Sequence, residues 1–135
     1  MLAGKRPKNI GARNGKLSPC SGKPNCVCSQ DERKRHRIDP MHFEGSPEGA
    51  MLKLRRIVSK LPGITLVDER ENYLYFECAT KWLGFVDDLE FLCLPEKSRI
   101  DVRSASRLGY SDLGMNRKRV EAIRRLFSAR SFQAG

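Results

Sequence analysis

The sequence predicts an α+β domain in two layers: a four-stranded antiparallel sheet covered on one face by two helices, in the order loop-α-ββββ-α. Three observations predict it. The stretch SPEGAMLKLRRIVSKLPG, at 46–63, sets Met51, Leu54, Ile57, Val58 and Leu61 on one helical face. Strand-like runs fill residues 64–104, and NRKRVEAIRRLF, at 116–127, brings a second apolar stripe. Antiparallel strands with one apolar face need a cover, and two amphipathic helices supply it.

Each element has a local cause. Ser46 suits the N-cap, Pro47 the first helical position and Glu48 the positive end of the helix dipole. Pro62–Gly63 ends that helix. The runs ITLVDER (64–70) and NYLYFECATK (72–81) flank a polar turn, with Leu74, Phe76 and Cys78 on a shared face. FVDDLEFLCL (85–94) and SRIDVRS (98–104) flank the turn PEKS. A loop over 95–98 sets Cys93 opposite Ile100, Phe91 opposite Val102 and Leu89 opposite Ser104. On the other face Leu92 meets Asp101 and Glu90 meets Arg103. A one-residue slip would turn those charges into the core, so the pattern fixes the register. The last helix is expected over about Asn116–Arg130, with Val120, Ile123, Leu126 and Phe127 inward.

At 135 residues and 39% apolar, the chain fits one small domain. Residues 1–16 read as a basic flexible tail and 17–131 as the domain, and no periodicity emerges before residue 45. No apolar run is long enough to span a bilayer, and the basic start lacks the apolar centre of a secretory signal. A cytoplasmic location is the default expectation, with export if a signal has been removed. The net charge of +10 is concentrated at the ends: about +8 over 1–37, −3 over 38–115 and +5 over 116–135. Such charge suits anionic partners, but the first 42 residues hold no aromatic side chain to stack on bases, which disfavours nucleic acid.

Three stretches could carry chemistry. VRSASRLGYSDLGMNRKR, at 102–119, joins the last strand to the last helix. Arg103 belongs to the polar sheet face, Arg107 to the loop, and Arg117 and Arg119 to the first helical turn, whose N–H groups favour anions. Guanidinium forks match carboxylate and phosphate, and Ser104, Ser106, Ser111 and Tyr110 add hydroxyls beside Asp112 and Asn116. The competing reading is an internal lock, with Arg103 on Glu90 and Arg107 on Asp87 or Asp88.

Asp87 and Asp88 are strand neighbours and point to opposite faces. Asp88 and Glu90 share one, where a divalent cation or acid–base work is conceivable, and so is a plain set of cross-strand ion pairs. In PCSGKPNCVCSQ, at 19–30, Cys20 and Cys26 are near enough to form a disulfide, to act as thiolate ligands or to work as a redox pair. The C-x5-C-x-C spacing suits zinc poorly, so no metal is expected, and a Cys–His dyad would need His36 or His42. Cys78 and Cys93 read as core thiols. No nucleotide or cofactor fingerprint is present.

These motifs together resemble the uncharacterised bacterial and plastid family catalogued as domain of unknown function 1499, over roughly residues 17–130. The resemblance rests on PCSGKPNCVCSQ, Pro40 before a helix, GFVDDLEF (84–91) and VRSASRLGYSDLGMNRKRVEAIR (102–124). Its motif positions are Cys20, Pro24, Asn25, Cys26, Ser29 and Gln30, then Phe85, Asp87, Asp88 and Glu90. They continue with Arg103, Ser104, Ser106, Arg107, Gly109, Tyr110, Asp112, Gly114, Asn116, Arg117 and Arg119. Cys28 departs from it, standing where a small residue such as serine is expected. The resemblance implies no reaction and no cofactor, but it implies that the three motifs converge on one polar site. The expectation is therefore a small-molecule binding module that takes an anion through Arg103, Arg107 and Arg117. The alternatives are an enzyme using Cys26 or the Asp88/Glu90 pair, and a structural protein with no small-molecule site.

Overall fold

A computed structural model describes residues 4–80 and 84–129. The chain order is β1 (Ala12–Arg13), β2 (Lys16–Leu17), β3 (Cys26–Cys28), β4 (Met41–His42), α1 (Pro47–Ser59), β5 (Ile64–Arg70), β6 (Tyr73–Ala79), β7 (Val86–Leu94), a 3-10 turn (Pro95–Lys97), β8 (Arg99–Ser106) and α2 (Met115–Ser128). Lys81, expected in the second strand, and residues 130–131, expected at the end of the last helix and of the domain, lie outside the described residues.

The long elements follow their local signals. The Ser46 side chain accepts the Gly49 amide and Pro47 opens α1. Beyond the helix Gly63 takes φ 75°, and a β-carbon there would stand 2.7 Å from the Ala79 carbonyl oxygen. Only glycine fits that crossing. Ser98 closes the turn after β7 in the left-handed region, and the β7–β8 register sets Cys93 on Ile100, Phe91 on Val102, Leu89 on Ser104 and Glu90 on Arg103. That is the predicted register.

The sheet is larger than predicted. Among the described residues it has six strands in the order β3-β8-β7-β6-β5, with β4 also pairing with β8, where four were expected. The two extra strands hold three and two residues, too few for alternation to be legible in a proline- and cysteine-rich stretch. They pair along the outer side of the eight-residue β8, which would otherwise expose a row of unsatisfied backbone groups.

The two-layer expectation also needs correction, because both sheet faces are covered. On one face α1 and α2 bury Leu54, Ile57, Val58, Val120, Ile123 and Phe127 against Leu74, Phe76, Leu89, Phe91, Ile100 and Val102. On the other, Leu17, Cys20, Cys26 and Cys28 pack with Tyr73, Tyr75, Leu92 and Ala105, with Ile10 and Ala12 against them. Residues 4–20, whose first part reads from sequence as a tail, run across this second face as a strap carrying the β1–β2 hairpin. The strap buries a strand face that carries carboxylates as well as tyrosines, and that mixture reads as solvent-facing in a linear pattern.

Candidate functional site

The three motifs converge. Strand β3 pairs antiparallel with β8, and β8 with β7, so PCSGKPNCVCSQ, VDDLE and RSASR lie side by side. Strand alternation then divides their polar groups between two clusters on opposite faces.

The cluster on the helix side centres on Asn116, which is fully buried. Its Nδ2 donates to Ser106 Oγ at 2.9 Å, to Asp112 Oδ2 at 2.7 Å and to the Asn25 carbonyl at 3.2 Å. Its Oδ1 accepts from Ser104 Oγ at 2.6 Å and from Arg119 Nη1 at 2.8 Å. Arg119 also reaches Asp87 at 2.8 Å, and Asn25 Nδ2 donates to the Gly109 carbonyl at 2.8 Å. The expected anion seat at the start of α2 already has an occupant. The Asp112 carboxylate accepts the amides of Gly114 at 2.8 Å and Asn116 at 3.1 Å, so those N–H groups serve the chain itself.

The cluster under the strap is built on β6, β7 and β8. Asp88 is buried, and its Oδ1 accepts from the Tyr75 hydroxyl and from Arg107 Nη2 at 2.9 Å. Arg107 also pairs with Glu77, which Arg6 of the strap reaches at 2.7 Å. Two carboxylates beside the Arg107 guanidinium hold it firmly charged and raise its already high pKa. Glu77 is pulled the other way: burial alone would raise its pKa, but the bonds from Arg6 and Arg107 leave it below the usual value.

Glu90 is fully buried; its Oε2 accepts from the Tyr73 hydroxyl at 2.6 Å and the Gly11 amide at 2.7 Å. Its Oε1 stands 3.6 Å from Arg103 Nη1, beyond hydrogen-bond distance, and neither Oε1 nor Arg103 Nε has a hydrogen-bond partner among the described residues. Burial raises the Glu90 pKa despite the Tyr73, Gly11 and Arg103 contacts. Among the described residues this is one of two imperfect joints on this face, the other being Arg99 Nε, which has no partner although Arg99 Nη2 reaches Asp101 at 3.2 Å. Beside it, Ser29 Oγ donates to Asp101 Oδ1 at 2.6 Å, and Gln30 bridges Asp101 Oδ2 at 3.1 Å to the Leu17 amide at 2.7 Å.

The predicted residues thus meet, but they meet each other. Of the proposed arginine triad, Arg103 and Arg107 face Glu90 and Asp88, while Arg117 stands apart, donating to the Arg35 carbonyl at 3.3 Å. Tyr110 stands 68% exposed at the loop. Residues absent from the sequence reading complete the strap-side cluster: Tyr73, Tyr75 and Glu77 from β6, and Arg6 and Gly11 from the strap. The β6 members were accessible to alternation from Leu74 and Phe76; the strap members were not.

Cys20 and Cys26 are joined by a disulfide with Cα atoms 5.6 Å apart. The Cys20 amide donates to Asp31 at 3.1 Å, and the fork of Arg33 grips the same carboxylate, holding it well below the usual carboxylate range. His36 is buried, with Nδ1 3.0 Å from the Cys26 carbonyl, whereas His42 is exposed. Cys28, Cys78 and Cys93 are free and buried, and burial pushes Cys78 up to about 12. Among the described residues no group of three His, Cys, Asp or Glu is placed to hold a metal ion.

Open concavity lies elsewhere. A groove of about 1160 Å³ runs between the β4–α1 loop, α1 and the end of α2. Phe43, Leu52 and Phe127 give it apolar walls; His42, Glu44, Lys53, Arg56 and Lys60 line it as ionisable groups. A second groove, of about 360 Å³, sets Lys34, Arg37 and Arg117 among Glu32, Asp39 and Glu121. Neither is lined by Asp88, Glu90, Arg103 or Arg107. No described helix is long and apolar enough to cross a membrane.

No curated protein matches the chain. The family model described as protein of unknown function (DUF1499) matches residues 16–127, which includes both polar clusters apart from Arg6 and Gly11, and the chain belongs to that family.

Proposed function

We propose that the domain is a small-ligand binding module for an anionic molecule, and that it takes the ligand in the groove between α1 and the end of α2. One observation carries this reading: Lys53 and Arg56 of α1 and Lys60 at its C-cap line that groove, where Glu44 is the one carboxylate among the described lining residues. Lys53 lies over the Phe127 ring with Nζ 4.8 Å from its centre, so apolar wall and positive charge adjoin. The favoured ligand carries a carboxylate or phosphate on an apolar body. The strand-to-helix corner fits this role less well, because a ligand there would have to displace Asp88 and Glu77 from Arg107.

A thermal-shift panel of phosphates and carboxylates tests the proposal. A stabilising anion is expected whose effect disappears in Lys53→Ala/Arg56→Ala and persists in Arg117→Ala. A broad panel with no stabiliser, or one whose effect depends on Arg117 alone, would falsify the groove assignment.

The structural reading is favoured by a separate observation, the mutual satisfaction of Asp87, Asp88, Arg107 and Arg119. On that reading the motif residues are matched to each other as a lock. The enzyme reading draws less support. Cys26 is bonded to Cys20, and the Asp88/Glu90 pair is capped by Tyr75, Tyr73 and the Gly11 amide.

A further inference from the structure

The loop between β8 and α2, with the first residue of α2, presents four large apolar side chains to solvent. Leu108 is 43% exposed, Tyr110 68%, Leu113 86% and Met115 51%. Among the described residues only one other large hydrophobic, Leu52, is exposed, so these four are a concentration and not background scatter. The loop backbone is anchored: Asn25 Nδ2 holds the Gly109 carbonyl at 2.8 Å, and the Asp112 amide donates to the Pro24 carbonyl at 3.2 Å. Leu113 has φ 54°, a left-handed conformation that a branched side chain adopts only when its surroundings impose it. The strain turns an apolar side chain outward, which folding alone does not reward.

The exposed charges along this loop and the start of α2 are positive, and the partly exposed Glu77 beside Arg107 is already paired with it. Between Asp101 and Glu121 the only acid is Asp112, and its carboxylate is turned onto the Gly114 and Asn116 amides. Gly4 packs against Leu108, bringing exposed Lys5 beside the loop; exposed Lys23 precedes Pro24, and exposed Lys118 lies in the first turn of α2.

We infer that this loop is a shallow membrane-contact site, in which Leu108, Tyr110, Leu113 and Met115 enter the headgroup region of an anionic lipid surface while Lys5, Lys23 and Lys118 meet lipid phosphates. Apolar insertion and juxtaposed cations reinforce each other at such surfaces, and tyrosine favours the headgroup level. A specific protein partner fits less well. Eight loop residues fall short of the roughly 800 Å² per side that a stable protein interface buries.

The test is co-sedimentation of the full chain with phosphatidylcholine vesicles and with vesicles containing about one third phosphatidylglycerol, at physiological salt. The chain is expected to bind the mixed vesicles and leave the neutral ones. Leu108→Ser/Leu113→Ser should weaken that binding about tenfold with an unchanged melting temperature, since both side chains are exposed. The single Leu113→Ser should show a smaller loss in the same direction. Lys5→Glu/Lys23→Glu/Lys118→Glu should abolish the preference for anionic lipid. Undiminished binding by the leucine variants would assign the attraction to overall charge and overturn the proposal. So would absence of binding to every vesicle, or concentration-dependent self-association that the leucine substitutions abolish.

Discussion

Arg107→Ala separates a lock from a ligand site. The Arg107 side chain is 7% exposed and its partner Asp88 1%. Truncation leaves the buried Asp88 carboxyl with the Tyr75 hydroxyl as its remaining side-chain partner among the described residues, while Glu77 keeps Arg6. Removing one partner of a buried ion pair costs about 3–5 kcal/mol. The remaining Tyr75 and Arg6 contacts place this case near 3 kcal/mol on that scale. For a domain of this size each kcal/mol moves the melting temperature by about 3–5 °C, so a fall of roughly 10–15 °C is expected. Arg107→Lys restores one charge without the fork and should recover part of the loss. Arg117→Ala, which gives up one long contact to a carbonyl, should cost under about 1 kcal/mol. Differential scanning calorimetry at neutral pH with the three variants side by side is the assay. If Arg107→Ala melts within a few degrees of the parent, the lock is not what holds the corner. The ion-pair reasoning then fails.

Three further outcomes follow from named groups. Cys20→Ser/Cys26→Ser should lose about 2 kcal/mol of stability, the chain-entropy value for a loop of this length, as read by urea unfolding under non-reducing conditions. Unchanged stability would mean the bond adds nothing that the strap's packing does not already supply. In iodoacetamide labelling near neutral pH the folded chain should react slowly, because burial pushes the thiols of Cys78 and Cys93 up to about 12 and 11. Denatured without reductant it should take three labels, and after reduction five; five without reductant would exclude the disulfide. Glu90 gives a pH signature. Burial raises its folded pKa, so the folded chain holds a proton that the unfolded chain has released. Its stabilising contribution is therefore complete below the unfolded value of about 4.3 and declines as pH rises through the folded value. The stability of the parent relative to Glu90→Gln should grow as pH is lowered from 7 toward about 4.3, and a constant difference would show that Glu90 does not take up the proton there.

The long elements and the β7–β8 register were legible in the sequence because they rest on short-range rules. Ser46 caps its own helix, Gly63 occupies a crossing closed to a β-carbon, and the alternation in VDDLEFLCL leaves one register that keeps Glu90 and Arg103 together. The same alternation separated Asp87 from Asp88, and the structure sends one to Arg119 and the other to Arg107. The meeting of Arg103 with Glu90, one of two readings left open by composition, also follows from register alone.

The strap was not legible. Gly11 meets Glu90 across 79 residues and Arg6 meets Glu77 across 71, and nothing local in a basic, glycine-rich segment marks those partners. The strands β3 and β4 escaped for a related reason, since two or three residues show no period. The sequence by itself determined the long strands, the two helices and the β7–β8 register, because those choices depend on neighbours a few positions apart. Only the tertiary structure decided that the polar sheet face is buried, that its arginines are already partnered, and that open grooves and exposed leucines lie away from them. Those outcomes depend on which distant segment covers a surface, and burial, not residue type, turns a charged pair from solvated ornament into a lock.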